Sequence, residues 1–306
     1  MKVLLAVSGG IDSMYMLHRA PELFPGASFA VAHCNFCLRG SDSDGDEAFV
    51  RDVCSQLGVE CFVNRFDTLG YASAHGVSIE MAARELRYDW FASLCAGHGF
   101  DALATAHNAN DNAETLILNL LRGTGTKGLR GIPEKTDLLR PLLGTSREEI
   151  RKWMESNGKI WREDRTNAEN EAKRNKIRNQ VFPVFAEINP SFIRTLGADM
   201  DRIRQTDDIA EDYYREAAGR IVKEAAGNVE ISVPGLLALK HWRYVLWRIL
   251  EDCSFSAETF DKLCTLLERY RTEPSGTVTL SGKKFEAPRY TLRARKKNLI
   301  LQLREA

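Results

Sequence analysis

Ser8-Gly9-Gly10-Ile11-Asp12-Ser13 is the stretch whose residue types point most directly to chemistry. Adjacent glycines let a backbone turn sharply and bring bare N–H groups close to a ligand. An apolar run over 3–7 precedes them and an amphipathic run over 14–19 follows, so the turn opens a helix near Asp12. A helix start aims its positive dipole end at the same point, and Ser8 and Ser13 add hydroxyl donors. Together these make a cradle for an anion, most naturally phosphate or pyrophosphate; the bland alternative is a strand–helix turn capped by serine. It is not a Walker loop, since no Gly-Lys-Ser/Thr follows at the required spacing, and no G-x-G-x-x-G is present. A second constellation is Thr105 to Thr115, containing His107, Asp111 and Glu114. Two acids three apart at a helix start share a face. Beside the cradle they could bind Mg²⁺, orient an amine or take its proton. The competing reading is capping by Asn110 or Asp111 with Glu114 as the box partner.

Three further stretches carry reactive types. Glu80, Arg84, Arg87 and Tyr88 fall on one side of an expected helix, either as a solvated stripe with a Glu80–Arg84 pair or as a basic, aromatic face toward substrate. Residues 121–131 form a glycine-rich loop with Arg122, Lys127 and Arg130, which reads as mobile and anion-seeking. Cys34-x-x-Cys37 has no second pair, so it reads as small residues beside a nucleotide before it reads as a metal or redox site. The acidic run from Asp42 to Glu47 lacks the glycine position of a calcium loop and suits the first turn of a helix.

Elements must position these groups. Apolar runs over 3–7, 28–33, 59–64 and 102–106 alternate with helical periodicity over 47–57, 79–95 and 110–121. That alternation predicts an α/β fold, a doubly wound and mostly parallel sheet with helices on both faces. Ligands then bind beyond the carboxyl ends of the strands, where strand order switches. The reactive stretches sit just after strands, as this requires. The second half reads as long helices over 190–226, 242–250 and 260–270, then a short β-meander near 277–280, 284–286 and 299–303.

With 306 residues the chain suffices for one large domain or two ordinary ones. Its 42 basic and 42 acidic residues cancel, so a nucleic-acid partner must be sought in local patches. Residues 140–178 carry eleven Lys/Arg against seven Asp/Glu, and residues 283–297 carry seven against one. Each is either a solvated face or a phosphate-binding surface. Seven scattered cysteines suit a reducing cytosol, the opening apolar run is too short for a signal peptide, and no membrane-length segment exists, so a cytoplasmic protein is expected.

Several of these segments agree with one family. The SGGxDS signature resembles that of the PP-loop ATP pyrophosphatase superfamily. The blocks around Cys34 to Gly40, E-x-x-A-R-x-x-R-Y, AHNANDNAET, RGTGTKGLRGI and Arg140-Pro141-Leu142-Leu143 resemble tRNA(Ile)-lysidine synthetases. So does Trp161-Arg162-Glu163-Asp164-Arg165-Thr166-Asn167, followed by Arg174-Asn175-Lys176-Ile177-Arg178 and Pro183. The resemblance is close over 1–187. It departs at Asn108 and Asn110, where the family usually has His and Asp, and at Cys37, where it commonly has His.

The resemblance implies an adenine nucleotide alpha hydrolase-like catalytic domain over 1–187 and a smaller, mainly helical tRNA-positioning domain over 188–306. It implies a ligase forming C–N bonds. ATP adenylates the wobble cytidine of the CAU anticodon of a minor isoleucine tRNA, and lysine displaces AMP to form lysidine. Ser8, Gly9, Gly10, Ile11, Asp12, Ser13, His33 and Arg39 would bind ATP, and Asp12 and Asp111 would hold Mg²⁺. Asp12, Asp111, Glu114 and His107 would be catalytic. Arg84, Arg87, Arg122, Lys127, Asp164, Asn167, Arg174, Asn175 and Arg178 would bind substrate and tRNA. The partners implied are tRNA and L-lysine, with no membrane; a homodimer is left open. The alternatives are a tRNA thiolase of the same superfamily and a non-catalytic tRNA-binding relative.

Overall fold

The structure is a computed structural model that describes residues 1–133, 135–162, 171–225, 227–273 and 277–304. Asp164 and Asn167 lie outside the described residues. The chain divides into two compact units, Met1–Arg204 and Gln205–Ala306.

The first unit starts with β1 (Lys2–Ala6), α1 (Ile11–His18) and the short α2 (Ala20–Leu23). There follow β2 (Ser28–Asn35), α3 (Ser41–Leu57), β3 (Cys61–Arg65), α4 (Thr68–His75), α5 (Ile79–His98) and β4 (Ala102–Ala104). Next come α6 (Ala109–Arg122), α7 (Thr126–Leu129), β5 (Leu138–Leu139) and α8 (Arg147–Ser156). The five strands form one parallel sheet in the order β3-β2-β1-β4-β5. Strand β1 is buried on both faces. Val3 and Leu5 join a core with α1, α3 and α8, while Leu4 packs with Phe91 and Leu94 of α5. Strands covered on both sides read as continuous apolar runs, which is why their sequence signal is strong. The fifth strand is only two residues long and gave no periodicity to read.

Because β1 pairs with β2 on one side and β4 on the other, strand order switches between β1 and β4. Their carboxyl ends deliver 7–13 and 105–111 to the same crevice. Helix α3 begins with Asp42 and Asp44 in its first turn, as the acidic run predicts.

Beyond α8 a continuous helical stretch runs through α9 (Glu171–Lys176), a π-helical turn (Ile177–Val181) and α10 (Phe182–Ile188). Pro183, which has no N–H to give, follows that turn. Phe182, Phe185, Phe192, Ile193 and Leu196 pack with Ala113, Ile117 and Leu118 of α6. Residues just past 188 therefore belong with the first unit, and the observed division falls within α11 (Phe192–Ile221) instead of at 187/188.

The second unit sets the end of α11, α12 (Val233–Leu237), α13 (Trp242–Leu250) and α14 (Ala257–Thr272) against an antiparallel sheet, with one core around Leu246, Leu267, Leu292 and Leu299. Its order is β6-β7-β10-β9-β8, from β6 (Val222–Ala225), β7 (Asn228–Ser232), β8 (Lys284–Glu286), β9 (Tyr290–Arg295) and β10 (Asn298–Leu303). Residues 222–225 are strand where helix was expected. Their helix-prone Lys-Glu-Ala loses to pairing with β7, whose Val229 and Ile231 face β10. Residues 277–280 form no strand. The meander's third strand is β9 instead, whose alternation was obscured by arginines on its outer face. Among the described residues no helix is long and apolar enough to cross a membrane.

Candidate active site

Gly9 takes φ +95°, a conformation that favours glycine, at the apex of the turn after β1. Ser13 Oγ accepts from Ser8 N at 3.1 Å and Gly9 N at 3.2 Å, and donates to the Gly10 carbonyl at 2.9 Å. Gly10 N donates to Ser8 Oγ at 3.3 Å. The serines thus brace the loop from within. Among the described residues no side chain caps α1, so its dipole end lies beside the crevice.

The second loop is organised by Asn108, only 1 % exposed. Its Oδ1 accepts from Asp111 N and its own N–H donates to Asp111 Oδ2, both at 3.0 Å, closing a capping box on α6. The expected cap, Asn110 or Asp111 with Glu114, is therefore replaced by Asn108 with Asp111. With Oδ1 fixed by a backbone donor, Nδ2 must face the other way, and it donates to Asp12 Oδ1 at 3.0 Å. One amide so links the two loops across the strand switch. Asn110 Oδ1 accepts from Arg147 N at 3.0 Å, tying the same loop to α8.

Glu114 is fully buried. Its Oε1 accepts from Arg178 Nε at 2.8 Å, and its Oε2 has no hydrogen-bond partner among the described residues. Arg178 also stands 3.8 Å from Asp111 Oδ1, so one guanidinium serves both acids. It projects from the π-helical turn, a local irregularity common at functional sites.

Burial pushes the Asp12 carboxyl above its usual range, against the pull of Arg147 and the Asn108 amide. Burial likewise raises Glu114 despite Arg178. It lowers His107, whose Nδ1 lies 3.0 Å from Thr105 Oγ1.

Two chambers adjoin these groups. One, of about 310 Å³, is lined by Ser8, Gly10, Asp12 and Ser13 at one side and by Phe36 and Arg87 at another. The other, of about 870 Å³, carries Arg174, Arg140 and Lys135. Arg84, Tyr88, Phe91 and His107 line both. An open anion cradle, an apolar wall and a cationic annex suit a nucleotide whose phosphates lie on the loop.

A profile of the PP-loop domain matches residues 1–185. The tRNA(Ile)-lysidine synthase of Chlorobaculum tepidum is 39% identical over 291 residues, 90% of this chain and 86% of that protein. The chain belongs to the tRNA(Ile)-lysidine synthase family. The synthase of Bacteroides thetaiotaomicron is 42% identical over 225 residues, 72% of this chain, although the chain spans only 52% of that longer protein. Among solved structures, a U34-tRNA thiolase from Methanococcus maripaludis superposes with a TM-score of 0.55 at 19% identity, covering 66% of this chain and 72% of that one; this likeness shows the fold alone.

Lysidine synthases are ligases that form C–N bonds, and in this member the expected residues fall into three groups. Of the cradle residues, Ser8, Gly10, Asp12 and Ser13 line the first chamber with Arg84, Arg87 and His107, whereas Gly9 does not, and Arg174 lines the second, donating to Thr115 Oγ1 at 3.4 Å. Ile11 does not line the chamber; its side chain is buried in the core. Asp111, Glu114 and Arg178 stand one layer behind, held to one another.

The third group does not reach the chambers. His33 lies on the opposite face of β2 from Ala32 and Cys34, with Nδ1 2.9 Å from the Val7 carbonyl, because side chains alternate along a strand. Arg39 binds Asp46 at 2.6 Å. Arg122 and Lys127 are exposed around α7, and Asn175 is half-buried on α9. The glycine-rich loop is anchored, with Asn119 Nδ2 on the Gly128 carbonyl at 2.8 Å and Ile132 N on Asn112 Oδ1 at 2.7 Å. Sequence reasoning missed Phe36 and Thr105. Their only signal was a place just after the end of a strand.

Proposed function

We propose that the chain adenylates the 2-oxo oxygen of the wobble cytidine in an isoleucine tRNA with a CAU anticodon, then joins L-lysine to it. The cytidine oxygen attacks the α-phosphate of ATP and pyrophosphate leaves; the lysine ε-nitrogen then attacks the activated carbon and AMP leaves, forming lysidine. The observation that carries this reading is the Asp12–Asn108–Asp111 link, which brings an acid group against an open phosphate cradle.

In this reading the cradle N–H groups and the α1 dipole stabilise the charge that builds on pyrophosphate. Mg²⁺ typically takes one or two carboxylates and completes its shell with phosphate oxygens and water; Asp12, which lines the chamber, would supply one, whereas Asp111 stands behind it with Oδ2 on the Asn108 N–H and Oδ1 beside Arg178. Bound there, the ion would neutralise phosphate charge. Only neutral amine attacks, so the incoming ammonium must lose a proton. His107, which burial keeps uncharged near neutral pH, borders both chambers; the tautomer that donates Nδ1–H to Thr105 leaves Nε2 free to accept that proton. Glu114, buried one layer behind, acts through Arg178, which it holds beside Asp111.

The test is incorporation of radiolabelled lysine by purified protein with ATP, Mg²⁺ and isoleucine tRNA of CAU anticodon, beside a methionine tRNA control. Labelling of the isoleucine tRNA alone is expected. ATP cleavage to AMP and pyrophosphate without labelling would replace lysine with another acceptor. Silence on both would make the chain a binding protein. A cytoplasmic site of action follows from the same reading.

A further inference from the structure

Behind the phosphate cradle, on the side away from the chamber, a residue from far along the chain is fastened to it. Arg162 donates its main-chain N–H to the Gly9 carbonyl at 2.9 Å. Its side chain is held by Asp46, with Nε to Oδ1 at 2.7 Å, and the other Asp46 oxygen takes Arg39 at 2.6 Å. Asp46 is 9 % exposed, so this carboxylate is an anchored support. The Arg162 guanidinium lies close on α3. A Cβ at Gly45 would come within 3.0 Å of its terminal nitrogen, closer than side chains normally tolerate. Trp161, the preceding residue, packs against the core that contains Val7, Ile11 and Val50. Neither Asp46 nor Arg162 lines the first chamber.

The direction of one cradle donor depends on this fastening. The Gly9 carbonyl and the Gly10 N–H belong to one planar, trans peptide unit, so they point in opposite directions. With the carbonyl turned to Arg162, the Gly10 N–H points the other way, to Ser8 Oγ at 3.3 Å, and both Ser8 and Gly10 line the chamber. Glycines on both sides leave that peptide free to rotate unless something holds it.

We propose that Asp46 and Arg162 are positioning residues for the phosphate cradle: their ion pair fixes the Arg162 main chain, which orients the Gly9–Gly10 peptide toward the triphosphate. The inference rests on the ATP reading above. A pair that acts only on the phosphate end leaves a signature that general destabilisation cannot mimic. Loss of the pair weakens ligands carrying a pyrophosphate group and spares those that lack one.

The experiment is calorimetric titration of the full chain with ATP, inorganic pyrophosphate and adenosine, for wild type, Arg162→Ala, Arg162→Lys and Asp46→Asn. Arg162→Ala and Asp46→Asn are expected to weaken ATP and pyrophosphate about tenfold while adenosine binding stays within twofold. Arg162→Lys, which keeps the charge but cannot reproduce the Nε geometry, should fall between. Equal weakening of adenosine and ATP, or unchanged pyrophosphate binding in both Asp46→Asn and Arg162→Lys, would overturn the proposal. Should Arg162→Ala fail to fold, those two milder variants decide. If wild type itself bound no ATP, the fault would lie with the functional reading.

Discussion

Asn108 keeps the same charge, none, at every working pH, and its amide bridges Asp12 and Asp111. An aspartate there would be isosteric but would crowd a third carboxylate between two others. Asn108→Asp is therefore expected to lower the rate of pyrophosphate release about a hundredfold, the scale of a small misplacement of a reacting group. Asn108→Ala, which removes the link without adding charge, should cost less; both are read by ATP–pyrophosphate exchange. The buried histidines set a second expectation. His33 and His107 are both held below the ordinary imidazole value of 6.5, chiefly by burial, so the unfolded chain binds protons that the folded one refuses. Their contribution to stability is complete above 6.5 and is lost as pH falls below it. Asp12 and Glu114, raised by burial, act in the opposite sense at lower pH. Urea unfolding at pH 7.5 and 5.5 should show wild type losing stability and His33→Gln losing less. How legible were these residues? The Asn-x-x-Asp spacing of the cap was open to reading, yet Asn108 registered only as a departure from a family pattern. Its bond to Asp12 spans 96 positions, and no local pattern announces such a contact.

At the level of elements, the parallel strands and their helices could be read because each strand is apolar throughout and each helix keeps its period. The antiparallel strands β6 and β9 could not, since their exposed residues, Lys223 and Glu224 on one and Arg293 and Arg295 on the other, carry charges that mimic helix surface or a basic tail. The loop over 123–131 shows the opposite failure. Its glycines read as freedom, but one of them makes a contact. Gly131 takes φ +77°, and a Cβ there would lie 2.2 Å from Asn112 Oδ1 and 2.6 Å from Met200 Sδ. Asn112 Oδ1 is the acceptor that holds Ile132 N. Gly131→Ala is thus expected to cost about 3 kcal/mol through backbone strain and overpacking together. Thermal unfolding would show it, whereas Gly144→Ala, with open space at its Cβ position, should change little.

Over the whole molecule the charges sum to zero, so any attraction for RNA must be local. The excess over 283–297 falls on β8, β9 and the turn before β10, with Arg293 and Arg295 exposed. If this surface meets phosphates, Lys296→Glu with Lys297→Glu should weaken tRNA binding. It should also flatten the salt dependence by a slope of about 1.5, two phosphate contacts' worth. Filter binding across a salt series measures both; unchanged slope would make the patch a solvated face. The scattered origin of the cradle's supports also has a consequence in time. Ser8 to Ser13 leave the ribosome first, but Asn108 and Arg162 are made much later. At about 5–20 residues per second the loop waits roughly 8–30 s for its last support. During synthesis the nascent cradle is thus expected to lack the Asn108 and Arg162 contacts that hold it. On the proposed reading, the phosphate site is complete only once most of the first unit exists.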